Sequence, residues 1–283
     1  MKTASAFDVY SVLIARLGSG QGGNHSQDQS QNPFCFMLYS QTLEKLRALR
    51  LEGMVQALEE QRRQNDISQL DFEARLALLV ERQWLWCQNR GLAARLKHAQ
   101  LKITDATLEG IEYRACRSLK RAQIDQLRAS RWVEEKRNCL ITGPTGVGKT
   151  YLACALGHQA CRDVHRTVYT HGPKLFRALQ TAHLDGSLPC LLKKLSRARL
   201  LIVDDLGIAG VAGKPYRDFL EIIDDRQGAT LVTSQFPVDQ WHALIADATV
   251  ADAILDRLIH NAYRLEIKGE SMRKPAGQKT PAD

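Results

Sequence analysis

Apolar positions recur every three to four residues from Met37 to about Arg128, then give way near Asn138 to short continuous runs. TLEKLRALRLEGMVQALEEQRR places its leucines and Met54 at helical spacing, carries its charges on the other face and has no proline. That pattern predicts an amphipathic helix. FEARLALLVERQWLWCQNRGLAARLKHAQL predicts a second, with Asp71 as its cap. ATLEGIEYRACRSLKRAQIDQLRAS predicts a third, completing a helical bundle in which Trp84 and Trp86 read as packing residues. From Asn138 the β-prone runs NCLIT, TVYT, RLLIVDD, ATLVTS and YRLEI alternate with amphipathic segments. Strands interleaved with helices predict an α/β domain, a parallel sheet covered on both faces. No internal repeat is visible.

Composition sharpens this outline. Residues 18–32, GSGQGGNHSQDQSQN, hold almost nothing that could be buried and read as a linker. The expected organisation is a disordered leader or upstream extension over 1–36, with Met37 as the working start. A helical domain over 37–128, an α/β domain over 129–274 and a flexible tail over 275–283 follow. The net charge of +8 is uneven: 0 over 1–36, −1 over 37–89, +6 over 90–137 and +3 over 138–283. Most of the excess therefore lies in the stretch leading into the α/β domain, where it favours an anionic partner. The seven cysteines are scattered, without CxxC or Cys/His spacing. They read as reduced thiols rather than a disulfide or zinc framework. No apolar run approaches the about 18–20 residues that cross a bilayer, so a cytoplasmic protein without a membrane partner is expected.

Chemistry enters at Gly143-Pro144-Thr145-Gly146-Val147-Gly148-Lys149-Thr150, which fits G-x-x-x-x-G-K-[ST] between a predicted strand and a predicted helix. Glycines let successive N–H groups turn toward phosphate oxygens at the positive end of the helix. Lys149 would reach the β- and γ-phosphates of ATP, and the Thr150 hydroxyl would ligate Mg²⁺. Leu200–Asp205 is an apolar run ending in two acids. Adjacent carboxylates after a buried strand are costly unless they face a metal or substrate. Asp204 is expected at Mg²⁺, through water, and Asp205 at the attacking water. The plainer reading of Asp205 is a cap on the following turn.

GPTGVGKTYLACALG, LLIVDDLG, LVTSQFPVDQW and above all ADAILDRLIHNAYRLEIKGESMRK resemble the IstB-like transposition helper ATPases, AAA+ proteins related to the DnaC-type helicase loaders. The resemblance covers roughly 37–274. It implies a P-loop AAA+ parallel sheet of order 5-1-4-3-2 preceded by an all-α domain. It also implies an ATPase that binds ATP and Mg²⁺, forms a homo-oligomer on double-stranded DNA largely regardless of sequence, and helps the transposase of the same element select its target. Ser234 or Gln235 would be the sensor of the γ-phosphate, and Arg257 would enter the ATP site of a neighbouring subunit. Many P-loop ATPases have Glu where Asp205 stands, which bears on the strength of catalysis. For Arg257 the alternative is an intrahelical or surface salt bridge with an adjacent acid. Arg273 is a candidate second sensor, and Trp132 would either stack on adenine or pack within the domain.

No base-reading motif is present. The basic residues of Arg114–Arg131 and the acid-free run Lys193–Arg199 are the candidate phosphate contacts for DNA. Two rival functions remain open on the sequence: a helicase loader, and an assembly scaffold that binds ATP with negligible hydrolysis.

Overall fold

A computed structural model describes residues 33–272, apart from 65, 66, 68, 114–117, 208–213 and 246. The leader up to residue 32, Arg114, Arg117, Arg273 and the tail from 275 thus lie outside the described residues. The chain divides into two compact units between Trp86 and Cys87, so the stretch read as one helical domain over 37–128 contributes to both.

The first unit is helical. Helices α1 (Pro33–Ala48) and α2 (Glu52–Arg63) precede α3 (Phe72–Ala99), within which the division falls. Val55 and Ala57 are buried on α2, and Arg47 pairs with Glu59 at 3.0 Å. Gly53 lies so close to the α3 backbone that a Cβ there would meet the Gln83 Cα at 2.7 Å. Trp84 is 56% exposed, so it is not the packing residue its sequence context suggests.

In the second unit the predicted strands form: β1 (Asn138–Thr142), β2 (Thr167–His171), β3 (Leu200–Leu206), β4 (Ala229–Ser234) and β5 (Ala262–Glu266). They build one sheet in the order β2-β3-β4-β1-β5, with every neighbouring pair parallel. This is the 5-1-4-3-2 order that the sequence resemblance implies, read from the opposite edge. Each of β1 to β4 is followed by helical crossover: α6 (Lys149–Arg162), α7 (Gly172–Asp185), α8 (Leu188–Ser196), α9 (Lys214–Asp224), α10 (Trp241–Leu244) and α11 (Ala248–Ile259). Two short helices, α4 (Arg121–Arg128) and α5 (Arg131–Glu134), precede β1.

Strand alternation divides the core in two. Cys139, Ile141, Leu200, Ile202 and Leu231 face α6 and the segment from Ala99 to Val133. Leu140, Leu201, Val203 and Val232 face α7, α9 and α11. Both faces being covered explains why these strands read as unbroken apolar runs. Helix α6 comes close enough that a Cβ on Gly157 would meet Ile202 Cδ1 at 2.6 Å.

One predicted helix does not form as read. Among the described residues of the span 106–130, only Arg121–Arg128 is an α-helix, and Ala106–Tyr113 is turn and irregular chain. Its apolar residues Ala106, Leu108 and Ile111 bury against the α6 side of the core. Gly110 sits where a Cβ would meet the Tyr151 Oη at 2.3 Å. The apolar spacing served docking rather than helix propagation. The thiols of Cys139, Cys154 and Cys161 are pushed up by burial, that of Cys139 to about 12, and none of the three is in a disulfide.

Arg226 ties α8 to the sheet. Its buried guanidinium donates to Thr230 Oγ1 at 3.1 Å, to the Leu195 carbonyl at 2.8 Å and to the Ala229 carbonyl. Burial lowers its pKa to about 10, so the group is still charged at neutral pH. Arg226→Leu leaves those acceptors unpaired and is expected to cost about 2–4 kcal/mol of stability, read from urea unfolding of the full chain.

Candidate active site

The loop after β1 and the start of α6 build the first wall. Gly143, Gly146 and Gly148 all have φ in the left-handed range, at 146°, 89° and 92°. At Gly143 the requirement is also one of space, since a Cβ would lie 2.1 Å from the Ile267 carbonyl oxygen. The segment after β5 lies against this loop. Ile267 N–H donates to the Thr142 carbonyl at 2.8 Å, and Met272 N–H donates to the Gly146 carbonyl at 2.9 Å. Lys149, buried to 5% exposure, donates from Nζ to the Gly143 and Pro144 carbonyls at 2.7 and 2.9 Å. Its ammonium therefore lies within the curl of the loop, at the N-terminal end of the 14-residue α6.

The second wall is the carboxyl end of β3. Asp204 has no exposed surface. Its Oδ1 accepts from Thr233 Oγ1 at 2.7 Å, its Oδ2 from Tyr169 Oη at 2.8 Å, and Thr150 Oγ1 lies 3.1 and 3.0 Å from the two oxygens. Lys102 Nζ stands 4.0 Å from Oδ2. Burial and the Asp204 charge push the Tyr169 phenol well above the usual tyrosine range, so it remains a donor. Asp205 adopts φ 59° and approaches His171 Nε2 at 3.6 Å.

A cavity of about 380 Å³ joins the two walls. Thr145, Gly146, Gly148, Lys149, Thr150, Asp205 and Gln235 line it; Ile103, Gly110, Glu112, Tyr151 and Met272 complete the lining. Of the two sensor candidates, Gln235 reaches the cavity. The buried Ser234 donates from Oγ to the Leu206 carbonyl at 2.9 Å and accepts from Phe236 N–H at 3.2 Å, closing the ends of β3 and β4. Arg257 does not line the cavity. Its guanidinium pairs with Asp224 on α9 and donates to the Ala253 carbonyl at 3.0 Å. Trp132 is buried in the core, its Nε1 donating to the Leu127 carbonyl at 3.2 Å, and is not a cavity residue. Lys193, Lys194, Arg197 and Arg199 are all exposed on α8 and the turn after it.

Thr233 and Tyr169 were invisible to motif reading. Tyr169 stands in TVYT as an ordinary strand aromatic, and Thr233 in ATLVTS as an ordinary β-branched residue. Oxygen donors at Thr150 and Asp204, 3.0 Å apart, suit a hard divalent cation such as Mg²⁺. Among the described residues, no helix is long and apolar enough to cross a membrane.

Comparison with known proteins gives a consistent set. Residues 44–280 match the model of the family described as IstB-like ATP binding protein. A Sinorhizobium fredii protein named as an insertion sequence ATP-binding protein, y4pL, is 44% identical over 246 residues, covering 86% of this chain and all of the relative. The protein named for ATP binding in insertion sequence IS21 of Pseudomonas aeruginosa is 32% identical over 82% of this chain and 86% of its own length. Among solved structures, DnaI aligns with TM-score 0.49 and 26% identity, over 58% of this chain and 92% of that one.

Gly143→Ala forces the loop off Ile267 and into a strained backbone. Nucleotide affinity is expected to fall by about tenfold or more, as 1–3 kcal/mol of strain implies. Titration of a fluorescent ATP analogue measures it.

Proposed function

We propose a function from one premise: the chain belongs to the IstB-like ATP binding protein family. It is an ATP-binding protein of the insertion-sequence type with an AAA+ P-loop core. The finer reading is that it hydrolyses ATP, assembles on double-stranded DNA in the cytoplasm, and assists the transposase of its element in selecting a target. The observation that carries the reading is the convergence of Lys149, Thr150 and Asp205 on one cavity, with Asp204 held against Thr150.

In this reading the N–H groups of Thr145–Thr150 and the Lys149 ammonium cradle the phosphates. Lys149 exchanges the Gly143 and Pro144 carbonyls for phosphate oxygens, a small movement because it already lies inside the curl. Thr150 and, through water, Asp204 would hold Mg²⁺, which would supply positive charge against the phosphate oxygens. Asp205 orients the attacking water or accepts its proton, and Gln235 senses the γ-phosphate from across the cavity. Arg257, engaged with Asp224 in the single chain, serves the site of a neighbouring subunit in the homo-oligomer; the guanidinium's planar charge suits phosphoryl oxygens. The exposed Lys193–Arg199 ridge and the basic residues near α4 supply phosphate contacts to DNA.

Three measurements test this. Lys149→Ala is expected to lose ATP binding, while Asp205→Asn binds ATP and releases phosphate about 10²-fold more slowly. Equal phosphate release by Asp205→Asn and the unaltered protein overturns the water-activating role. Negligible release by the unaltered protein, even with DNA, favours a scaffold instead. Arg257→Ala is expected to retain ATP affinity yet lose about 10²-fold or more in hydrolysis under assembling conditions; a wild-type rate there removes the inter-subunit role. Affinity for random-sequence duplex DNA should fall steeply between roughly 50 and 200 mM salt, and a flat response excludes phosphate-dominated binding.

A further inference from the structure

Adjacent residues of a regular strand point to opposite faces of a sheet. Asp204 and Asp205 are adjacent, yet Asp204 meets Thr150 and Asp205 lines the same cavity. The sheet solves this with a bulge. Val203 pairs with Val232, but the next recorded partners are Leu206 and Ser234, three residues along β3 against two along β4. Val203 and Leu206 consequently bury on the same face, in the α7 side of the core. A regular pleat would have turned Leu206 to the other side. The extra residue is placed where Asp205 adopts φ 59°, a conformation uncommon for a residue with a side chain.

A bulge interrupts the ladder and leaves a backbone N–H in need of an acceptor. Thr233 supplies it. Its Oγ1 accepts from Asp205 N–H at 2.8 Å and donates to Asp204 Oδ1 at 2.7 Å. The residue has no exposed surface, so no water competes for either bond. From β2, the Tyr169 hydroxyl fixes the other oxygen of Asp204 at 2.8 Å. One hydroxyl thus holds the backbone of one acid and the carboxylate of the acid before it.

We infer that Thr233 is a positioning residue that lets two consecutive carboxylates serve one ATP site, with Tyr169 as the second clamp on Asp204. The inference rests on the ATPase reading above and deepens it. It assigns the geometry of both acids to hydroxyls that lie outside the phosphate-loop and β3 motifs. Without the Thr233 hydroxyl, the Asp205 N–H loses its acceptor and Asp204 Oδ1 loses a donor, so the metal-holding and water-orienting roles should fail together. Without the Tyr169 hydroxyl only Asp204 is loosened.

The test compares Thr233→Val, Thr233→Ser and Tyr169→Phe in the full chain. It measures affinity for a fluorescent ATP analogue in EDTA, the Mg²⁺ concentration that half-saturates the metal-dependent gain in affinity, and phosphate release. In EDTA all three variants are expected to bind as the unaltered protein does. Thr233→Val should raise half-saturating Mg²⁺ about tenfold and slow phosphate release at saturating Mg²⁺ by about 10–100-fold, the usual scale for outer-shell partners. Thr233→Ser keeps the hydroxyl and should restore both. Tyr169→Phe should raise half-saturating Mg²⁺ about tenfold. An unshifted Mg²⁺ dependence and an unchanged rate in Thr233→Val overturn the inference, as does a Thr233→Ser variant as impaired as Thr233→Val. If Thr233→Val does not fold, the serine and phenylalanine variants decide: an impaired Thr233→Ser or an unshifted Tyr169→Phe overturns it. Failure of the unaltered protein to bind the analogue with Mg²⁺ dependence would instead remove the ATPase reading itself.

Discussion

A carboxylate without exposed surface, set at the carboxyl end of a parallel sheet, constrains the rest of the second unit. Buried unpaired, Asp204 would be untenable, because an isolated ionised group in an apolar interior costs far more than a domain's net stability. The fold surrounds it from three elements at once: Thr150 at the start of α6, Tyr169 near the end of β2 and Thr233 near the end of β4. Those three elements reach one point only if β2, β3 and β4 are neighbours in register and α6 crosses over the same face. The strand order is therefore tied to the chemistry of one side chain.

The surrounding packing is what holds these hydroxyls in place. The apolar runs of β1, β3 and β4 bury both faces of the sheet, so the strands cannot slide without exposing one core or the other. Helix α6 is drawn close to β3 at Gly157, which brings its first turn, with Lys149 and Thr150, to the sheet's edge. Arg226 secures the opposite end of the layer by satisfying carbonyls of α8 and β4, and so supports the basic ridge beyond α8.

Contiguous features were the legible ones. The phosphate loop, the acids at the end of β3 and the alternation of strands with helices each occupy neighbouring positions in the chain, and local pattern suffices to find them. What escaped depends on distance in sequence. Thr233 and Tyr169 acquire their roles only by standing beside Asp204, 29 and 35 residues away. Ala106–Tyr113 has helical apolar spacing, yet it is docked as turns because its contacts to α6 outweigh propensity. Ser234 and Gln235 could not be told apart in a sequence, since the choice depends on which side of the β4 end each faces. The Asp224 partner of Arg257 lies 33 residues upstream, out of reach of a pattern confined to neighbouring acids.

The segment after β5 lies against the phosphate loop. Ile267 and Met272 each give a backbone N–H to the loop region, and Ser271 packs where a Gly146 Cβ would stand. Ser118, far earlier in the chain, bonds this segment as well, accepting from Lys268 N–H at 2.9 Å. The loop is thus not a free hoop between β1 and α6 but one member of a braced pair. The shape of the hoop is therefore shared with residues 267–272, which lie more than a hundred positions further along the chain.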